Sequence, residues 1–190
     1  EELTDVVFRT PTGDIYGRVT FENGQAVAGA KVTAEPTDGS GVPGKSYVFS
    51  GTSKLTVDNE SLLKDATKAA TLQAWVRADK EGTIIEKPGM YKLAYNNQNI
   101  EFTVGSQTLK TSKKLKDYAS SAQFVHLSAV ADATHLIIYI NGKAVAEAER
   151  TAQITGNNNK VVIGEGFTGA IDEVRIWNKA LNADTLANDY

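Results

Sequence analysis

The chain contains no cysteine. A disulfide framework, a thiolate zinc site and a cysteine nucleophile are thereby excluded. Histidine is almost as scarce: only His126 and His135 occur. Neither sits beside a serine motif or in a cluster with metal-ligand spacing, so imidazole-based catalysis and zinc binding lack their parts. Long apolar runs are missing too. The longest mostly apolar stretch, Leu136 to Ile140, is far too short to span a bilayer. Basic residues are scattered and the net charge is −3, which argues against nucleic acid and anionic membranes as partners. What remains is 190 residues with 41% hydrophobic composition, enough to bury the core of one large all-β domain or of one domain plus an attachment. The start at Glu1, with neither Met nor leader, reads as a processed or trimmed fragment, so localisation must be inferred from the type of domain.

Period-2 alternation punctuated by Gly, Asn, Asp or Pro recurs along the chain, the pattern of a sandwich or barrel. Strands are predicted near 15–21, 31–35, 46–49, 54–57, 71–77, 83–87, 91–95, 100–104, 124–131, 135–141, 160–163 and 169–177. The Asn141-Gly142 dipeptide between two β-rich runs predicts a type I′ hairpin, because both residues tolerate positive φ. Helix is expected in two places: a turn or two around Glu60–Lys64, and a short terminal helix capped by Asn182. The Gly- and Pro-rich stretch Pro36–Lys45 predicts a boundary. Residues 1–36 then form a partial β segment, residues 37–45 a linker, and residues 46–190 the main domain. The first segment is too short for a core of its own. The expectation is that Gly17–Glu35 pairs as a ribbon.

Four stretches of the main segment, taken in order, resemble the laminin-G-like branch of the concanavalin A-like lectin/glucanase family. They are the strand pair SYVFSGTSKLTV, the Trp-centred TLQAWVRADKEGTIIEKPGMYKLAY, the hairpin FVHLSAVADATHLIIYINGKAVAE and the closing VVIGEGFTGAIDEVRIWNKALNADTL. The resemblance implies a two-sheet antiparallel jelly-roll sandwich with a short C-terminal helix. Upstream, GDIYGRVTFENGQAVAGAKVTAEP is similar to the opening strands of a carboxypeptidase-regulatory-like, Ig-type unit, with Ala26 where that family often has Pro. Such units are spacers in exported multidomain bacterial proteins. The resemblance therefore implies neighbouring domains in a longer parent chain and an extracellular or cell-surface location.

The residues argue against catalysis. No Glu-x-Asp-x-Glu occurs, although carboxylates that share a face must alternate along a strand and a retaining pair must stand about 5 Å apart. Asp172 and Glu173 are adjacent, and Glu147 and Glu149 end a hairpin without a third carboxylate. His126 reads as a hydrogen-bonded structural residue and His135 as a turn residue.

Asp172 is expected to share the core-facing row with Val174 and Ile176, where a carboxylate needs a partner. The resemblance implies a structural calcium there, with Ser50 at the place where an acid is common. Backbone N–H groups near Ser50–Gly51 are the other candidate partner, and Asp172 is expected to serve structure. Trp75 and Trp177 are assigned to core packing and Val174 is expected to be largely buried. The candidate ligand platform is Tyr91, Tyr95 and Tyr118 with the amides of Asn96 and Asn97, although Asn96–Asn99 also reads as a hairpin turn. The Lys110–Lys116 run reads as a solvated cluster protecting a sheet edge. The functional expectation is a non-catalytic binding or adhesion module for carbohydrate or protein, without nucleic acid or membrane insertion. The alternative is a structural spacer without a ligand.

Overall fold

A computed structural model describes residues 6–10, 13–17, 32–35, 46–57, 68–120 and 123–188. The predicted helical turn at Glu60–Lys64 and most of the Gly17–Glu35 ribbon lie outside these residues. Strands β1 (Val6–Thr10) and β2 (Gly13–Gly17) pair with each other as a two-stranded antiparallel sheet. The other strands are β3 (Val32–Glu35), β4 (Tyr47–Ser50), β5 (Lys54–Val57), β6 (Ala70–Lys80), β7 (Gly82–Lys87), β8 (Tyr91–Asn96), β9 (Asn99–Val104) and β10 (Gln107–Lys110). After a 3-10 turn at Leu115–Asp117 follow β11 (Val125–Ala131), β12 (His135–Ile140), β13 (Lys143–Glu149), β14 (Val161–Ile163), β15 (Thr168–Trp177) and helix α1 (Ala183–Asn188).

Two antiparallel sheets face each other. One has seven strands in the order β10-β9-β8-β7-β14-β5-β3, and the other six in the order β13-β12-β11-β6-β15-β4. The strand-rich architecture is what the alternation predicts, and the two-sheet jelly-roll sandwich is what the family resemblance implies. Strand β3 pairs with β5, from Val32↔Val57 to Glu35↔Lys54. This places a strand from the predicted N-terminal segment on the edge of the main sandwich.

Alternation explains where the core sits. On β6, Ala70, Leu72, Ala74 and Val76 point between the sheets, and on β11 Val125, Leu127, Ala129 and Ala131 do the same. They meet Ile85, Leu93, Ile100, Phe102 and Val104 from the seven-stranded sheet. At one end of the sandwich Phe49 meets Phe167 edge-on, with centroids 6.3 Å apart. Gly164 makes room for them: its φ is +78°, and a Cβ there would lie 1.9 Å from Phe49 Cε1.

A second, smaller apolar cluster lies on the outer face of the six-stranded sheet. Val130, Tyr139, Leu181 and Leu186 are buried there, with Ile137 and Trp177 packed against them. Helix α1 supplies Leu186 and begins as predicted, with the Thr185 N–H donating to Asn182 Oδ1 at 2.8 Å. The Asn141-Gly142 turn also has the predicted form, with φ values of 51° and 71°. Lys110 lies on the edge strand β10, where an ammonium discourages pairing with another chain.

Candidate functional site

The expected tyrosine–asparagine platform divides between two environments. Tyr91 is 2% exposed and belongs to the core. Burial pushes its phenol pKa well up, and a side chain so enclosed cannot meet a ligand. The physical reason is strand phase, since Tyr91 alternates with Lys92 and points inward beside Leu93 and Val104.

Tyr95, Asn96 and Asn97 stand at the other end of β8, near the 3-10 turn. There the Leu115 N–H donates to the Gln98 carbonyl at 2.7 Å. Asn97 and Gln98 have φ values of 48° and 66°, so they form the hairpin turn between β8 and β9. Asn96 Nδ2 donates to Glu101 Oε2 at 3.1 Å. Asn99 is tied down, donating through Nδ2 to the carbonyls of Thr111 and Lys113. The turn reading therefore accounts for the asparagine run. A small cleft remains beside it, lined by Tyr95, Val76, Ala78, Leu115, Lys116, Ala119, Ser120, Gln123 and Val125. Tyr118 is half-buried against the core beside this loop.

The outer face of the six-stranded sheet departs most from expectation. Trp75 alternates with Ala74 and Val76, so its indole points away from the inter-sheet core and belongs to neither apolar cluster. The core assignment of Trp75 is thus corrected; the ring is half-buried on the outer face. Its cross-strand neighbours are Asp172 on one side and His126 on the other. The Trp75 and His126 ring centroids are 5.2 Å apart. His126 in turn faces Asn141: its N–H donates to Asn141 Oδ1 at 2.9 Å, and the Asn141 N–H donates to its carbonyl at 2.8 Å.

Asp172 reaches this row through a β-bulge. Between the pairs Asp172↔Trp75 and Arg175↔Gln73, β15 has two residues where β6 has one. Glu173 takes φ +49°, and its N–H donates to Asp172 Oδ1 at 2.8 Å. The extra residue reverses the phase. Ile176 faces the core opposite Leu72, yet Asp172 falls on the outer face with Trp75. The expected inward carboxylate is therefore corrected, and so is its expected partner. Ser50 pairs with Thr168, four positions away along β15, and the donor to Asp172 is the neighbouring Glu173. Among the described residues no group of three or more His, Cys, Asp or Glu side chains gathers to hold a metal. Val174, at the bulge, is half-buried against the core.

Further down the same face, Trp177 donates through Nε1 to Gln73 Oε1 at 2.7 Å and lies beneath the Lys179 ammonium. Trp177 packs in the small helix-covered cluster, whereas the main core was expected. Further up, Val48 pairs with Ala170, which pairs with Arg77. Val48 is 47% exposed, and Phe124, just ahead of β11, is 36% exposed. Reasoning from the sequence passed over this patch. The signal was the row Thr71, Gln73, Trp75, Arg77, whose polar members mark an outer face.

The acidic pairs show no convergence. Glu173 contacts Arg175 at 3.0 Å, and Glu147 lies 3.9 Å from His135 on the β12–β13 hairpin. His135 was expected in a turn but opens strand β12 opposite Glu149; its N–H and that of Thr134 donate to Asp132 Oδ1, at 2.6 and 2.7 Å. Partial burial tends to raise the Asp132 pKa. These N–H donors and the Thr134 hydroxyl outweigh it and hold the carboxyl below its ordinary value.

A family model described as the concanavalin A-like lectin/glucanases superfamily matches residues 49–187. No curated protein sequence matches the chain. Among solved structures, the receptor-binding domain of botulinum neurotoxin C/D mosaic serotype superposes with a TM-score of 0.68 at 18% identity, over 85% of this chain and 46% of that one. This chain thus spans under half of the toxin chain. A binding domain of botulinum neurotoxin DC in complex with SialylT gives 0.67 at 17% identity, over 84% and 45%. Domain 4 of an extracellular arabinanase from Geobacillus stearothermophilus, in complex with arabinotriose, gives 0.64 at 20% identity, over 84% and 86%.

Proposed function

Since the chain belongs to the concanavalin A-like lectin/glucanase superfamily, we propose that it is a non-catalytic binding module whose ligand is a carbohydrate. The observation that carries this reading is the partly uncovered outer face of the six-stranded sheet. There Val48 stands exposed and Trp75 half-buried, among polar side chains that neither apolar cluster uses. The mixture of rings and polar groups suits a sugar, which presents apolar C–H faces and hydroxyls together, better than a dry protein interface. The neighbouring folds that carry an arabinotriose or SialylT ligand support the reading by analogy. On this reading the module belongs to an exported multidomain protein and acts outside the cell. No helix among the described residues is long and apolar enough to cross a membrane.

A glycan array probed with the purified chain tests the proposal, together with a reducing-sugar assay on β-glucans and arabinan. Saturable retention on a defined glycan class, with no release of reducing ends, is the expected result. Turnover of polysaccharide would make the protein an enzyme, and an array without any retained spot would remove the carbohydrate reading.

A further inference from the structure

We infer that the cleft at the end of the sandwich is a second saccharide subsite, and that its occupant is a sugar bearing a carboxylate or sulfate group. The inference rests on the carbohydrate reading above and adds an anionic ligand class, at a place separate from the outer face of the six-stranded sheet. The cleft opens between the two sheets. Val76 from β6 and Val125 from β11 line its buried side, the half-buried Tyr95 from β8 forms a wall, and Lys116, Ser120 and Gln123 form an exposed rim. With its open mouth included it holds about 310 Å³ of empty space, at the lower end of the range for small-molecule sites.

The polar groups around this space are unspent. Tyr95 packs against the core, yet its hydroxyl has no hydrogen-bond partner among the described residues. The same is true of the Ser120 hydroxyl and the Gln123 side-chain amide. The lysine run divides here. Lys110 sits on the edge strand and faces Glu101 at 3.7 Å. Lys113, Lys114 and Lys116 lie beyond β10 on the loop that borders the cleft, and none has a carboxylate within ion-pair distance among the described residues. Two carboxylates oppose them. Asp117 turns back to accept the Lys114 N–H at 3.1 Å. Glu81 lies close enough to Tyr95 to add to the effect of burial in raising its phenol pKa. Three ammonium groups against these two carboxylates leave the rim positive, in a chain whose net charge is −3. A cation beside a ring-walled cleft attracts an anionic substituent, while the ring receives the apolar C–H face of the sugar.

The loop is fixed before a ligand arrives. Asn97 and Gln98 both take positive φ, an uncommon conformation outside glycine, and the turn they form presents the Gln98 carbonyl to the Leu115 N–H. Leu115 is buried at this point. Asn99 Nδ2 donates to the Lys113 carbonyl at 2.9 Å, and the Tyr118 N–H donates to the Leu115 carbonyl at 3.0 Å. The left-handed turn thus acts beyond its own hairpin, because it holds the lysine-bearing stretch beside Tyr95. A site tied down in this way loses little conformational freedom on binding.

The test is calorimetric titration of the purified chain with uronic-acid oligomers, sulfated oligosaccharides and the neutral counterparts of each, at low and high salt. An anionic series should bind at least about tenfold more tightly than its neutral counterpart, and more weakly as salt rises. The preferred series then identifies the group as carboxylate or sulfate. Lys116→Gln and Tyr95→Ala should each weaken binding by about fivefold or more. Lys110→Gln, which removes only the pair with Glu101 at the sheet edge, should leave affinity unchanged. Far-UV circular dichroism and the thermal midpoint report whether each variant is folded. Lys116→Gln alters an exposed side chain and keeps the test open if Tyr95→Ala does not fold. Undiminished affinity in Lys116→Gln, or an equal loss in Lys110→Gln, overturns this site. Preference for neutral sugars, in the titrations or on the glycan array, overturns the ligand class. In each of these cases the carbohydrate reading survives. Failure of every oligosaccharide and of the glycan array removes both the subsite and the carbohydrate reading.

Discussion

Asp132 shows how one short polar side chain organises a turn. Its Oδ1 gathers the N–H groups of Thr134 and His135 and the Thr134 hydroxyl, and so fixes the start of β12. Because these donors favour the ionised form, the carboxyl titrates below its ordinary value of 3.8. The unfolded chain binds the proton more readily, so the stabilisation is complete above the unfolded pKa. It is lost as pH falls through the folded value. Asp132→Ala should lower the thermal midpoint at neutral pH, and the gap from wild type should close as pH falls below about 4. A gap independent of pH across that range would show that the turn does not depend on the charge. Glu173 offers a second residue-scale expectation. Glycine adopts positive φ without penalty, so Glu173→Gly should leave stability unchanged or raise it by up to about 1 kcal/mol, despite losing the Arg175 contact. Urea denaturation measures this. A clear loss would mean that the Glu173 side chain, not the backbone, holds the bulge.

At the scale of elements, α1 is six residues long and too short to be stable alone. It is held by Leu186, fully buried against Val130 and Tyr139, and by the Asn182 cap. Leu186→Ala should cost about 2–5 kcal/mol, as expected for a deleted buried leucine. Hydrogen exchange should localise the loosening to α1 and the neighbouring parts of β11 and β12. Uniform loss of protection would instead make the helix part of the main cooperative unit. Elements also show what was legible in the sequence. The Asn141-Gly142 hairpin and the Asn182 cap announce themselves because each needs a particular residue type for its backbone angles or hydrogen bonds. Strand β6 was equally legible as alternation. The error at Trp75 came from weighing its apolar character above its company of Thr71, Gln73 and Arg77. The bulge left no such trace: Ile-Asp-Glu-Val-Arg-Ile alternates cleanly, and Glu173 has none of the backbone freedom of Gly or Asn. The phase reversal is set by pairing with β6, a tertiary constraint that local sequence does not carry.

For the molecule as a whole, an all-β sandwich or barrel was readable from alternation because each buried face imposes a period of two, and the resemblance chose the two-sheet form. The extent of the folding unit was less so. The Gly- and Pro-rich stretch 36–45 marks a boundary by composition, yet β3 ahead of it pairs with β5 and completes one edge of the seven-stranded sheet. A chain beginning at Ser46 should still unfold cooperatively, since it keeps every core residue found among the described residues. It should be less stable than a chain beginning at residue 31, because β5 would lose its edge partner and expose unpaired backbone. Comparing the denaturation midpoints of the two fragments checks this, and equal midpoints would show that β3 adds nothing to the sandwich.

The bulge in β15 also sets how the gene tolerates changes in length. Ile171 and Ile176 both face the core, although five positions apart, because one surplus residue lies between them. Removing any single codon between them would close the surplus and bring the two halves of the strand into one phase. Both halves would then keep their apolar rows inward, because Ile171 and Ile176 would stand four positions apart on one face, in step with β6. Deleting Glu173 should therefore be milder than deleting a residue elsewhere within β15, which would put one half of the strand out of phase, so lineages of this domain should vary in length at the bulge more readily than in the rest of this strand.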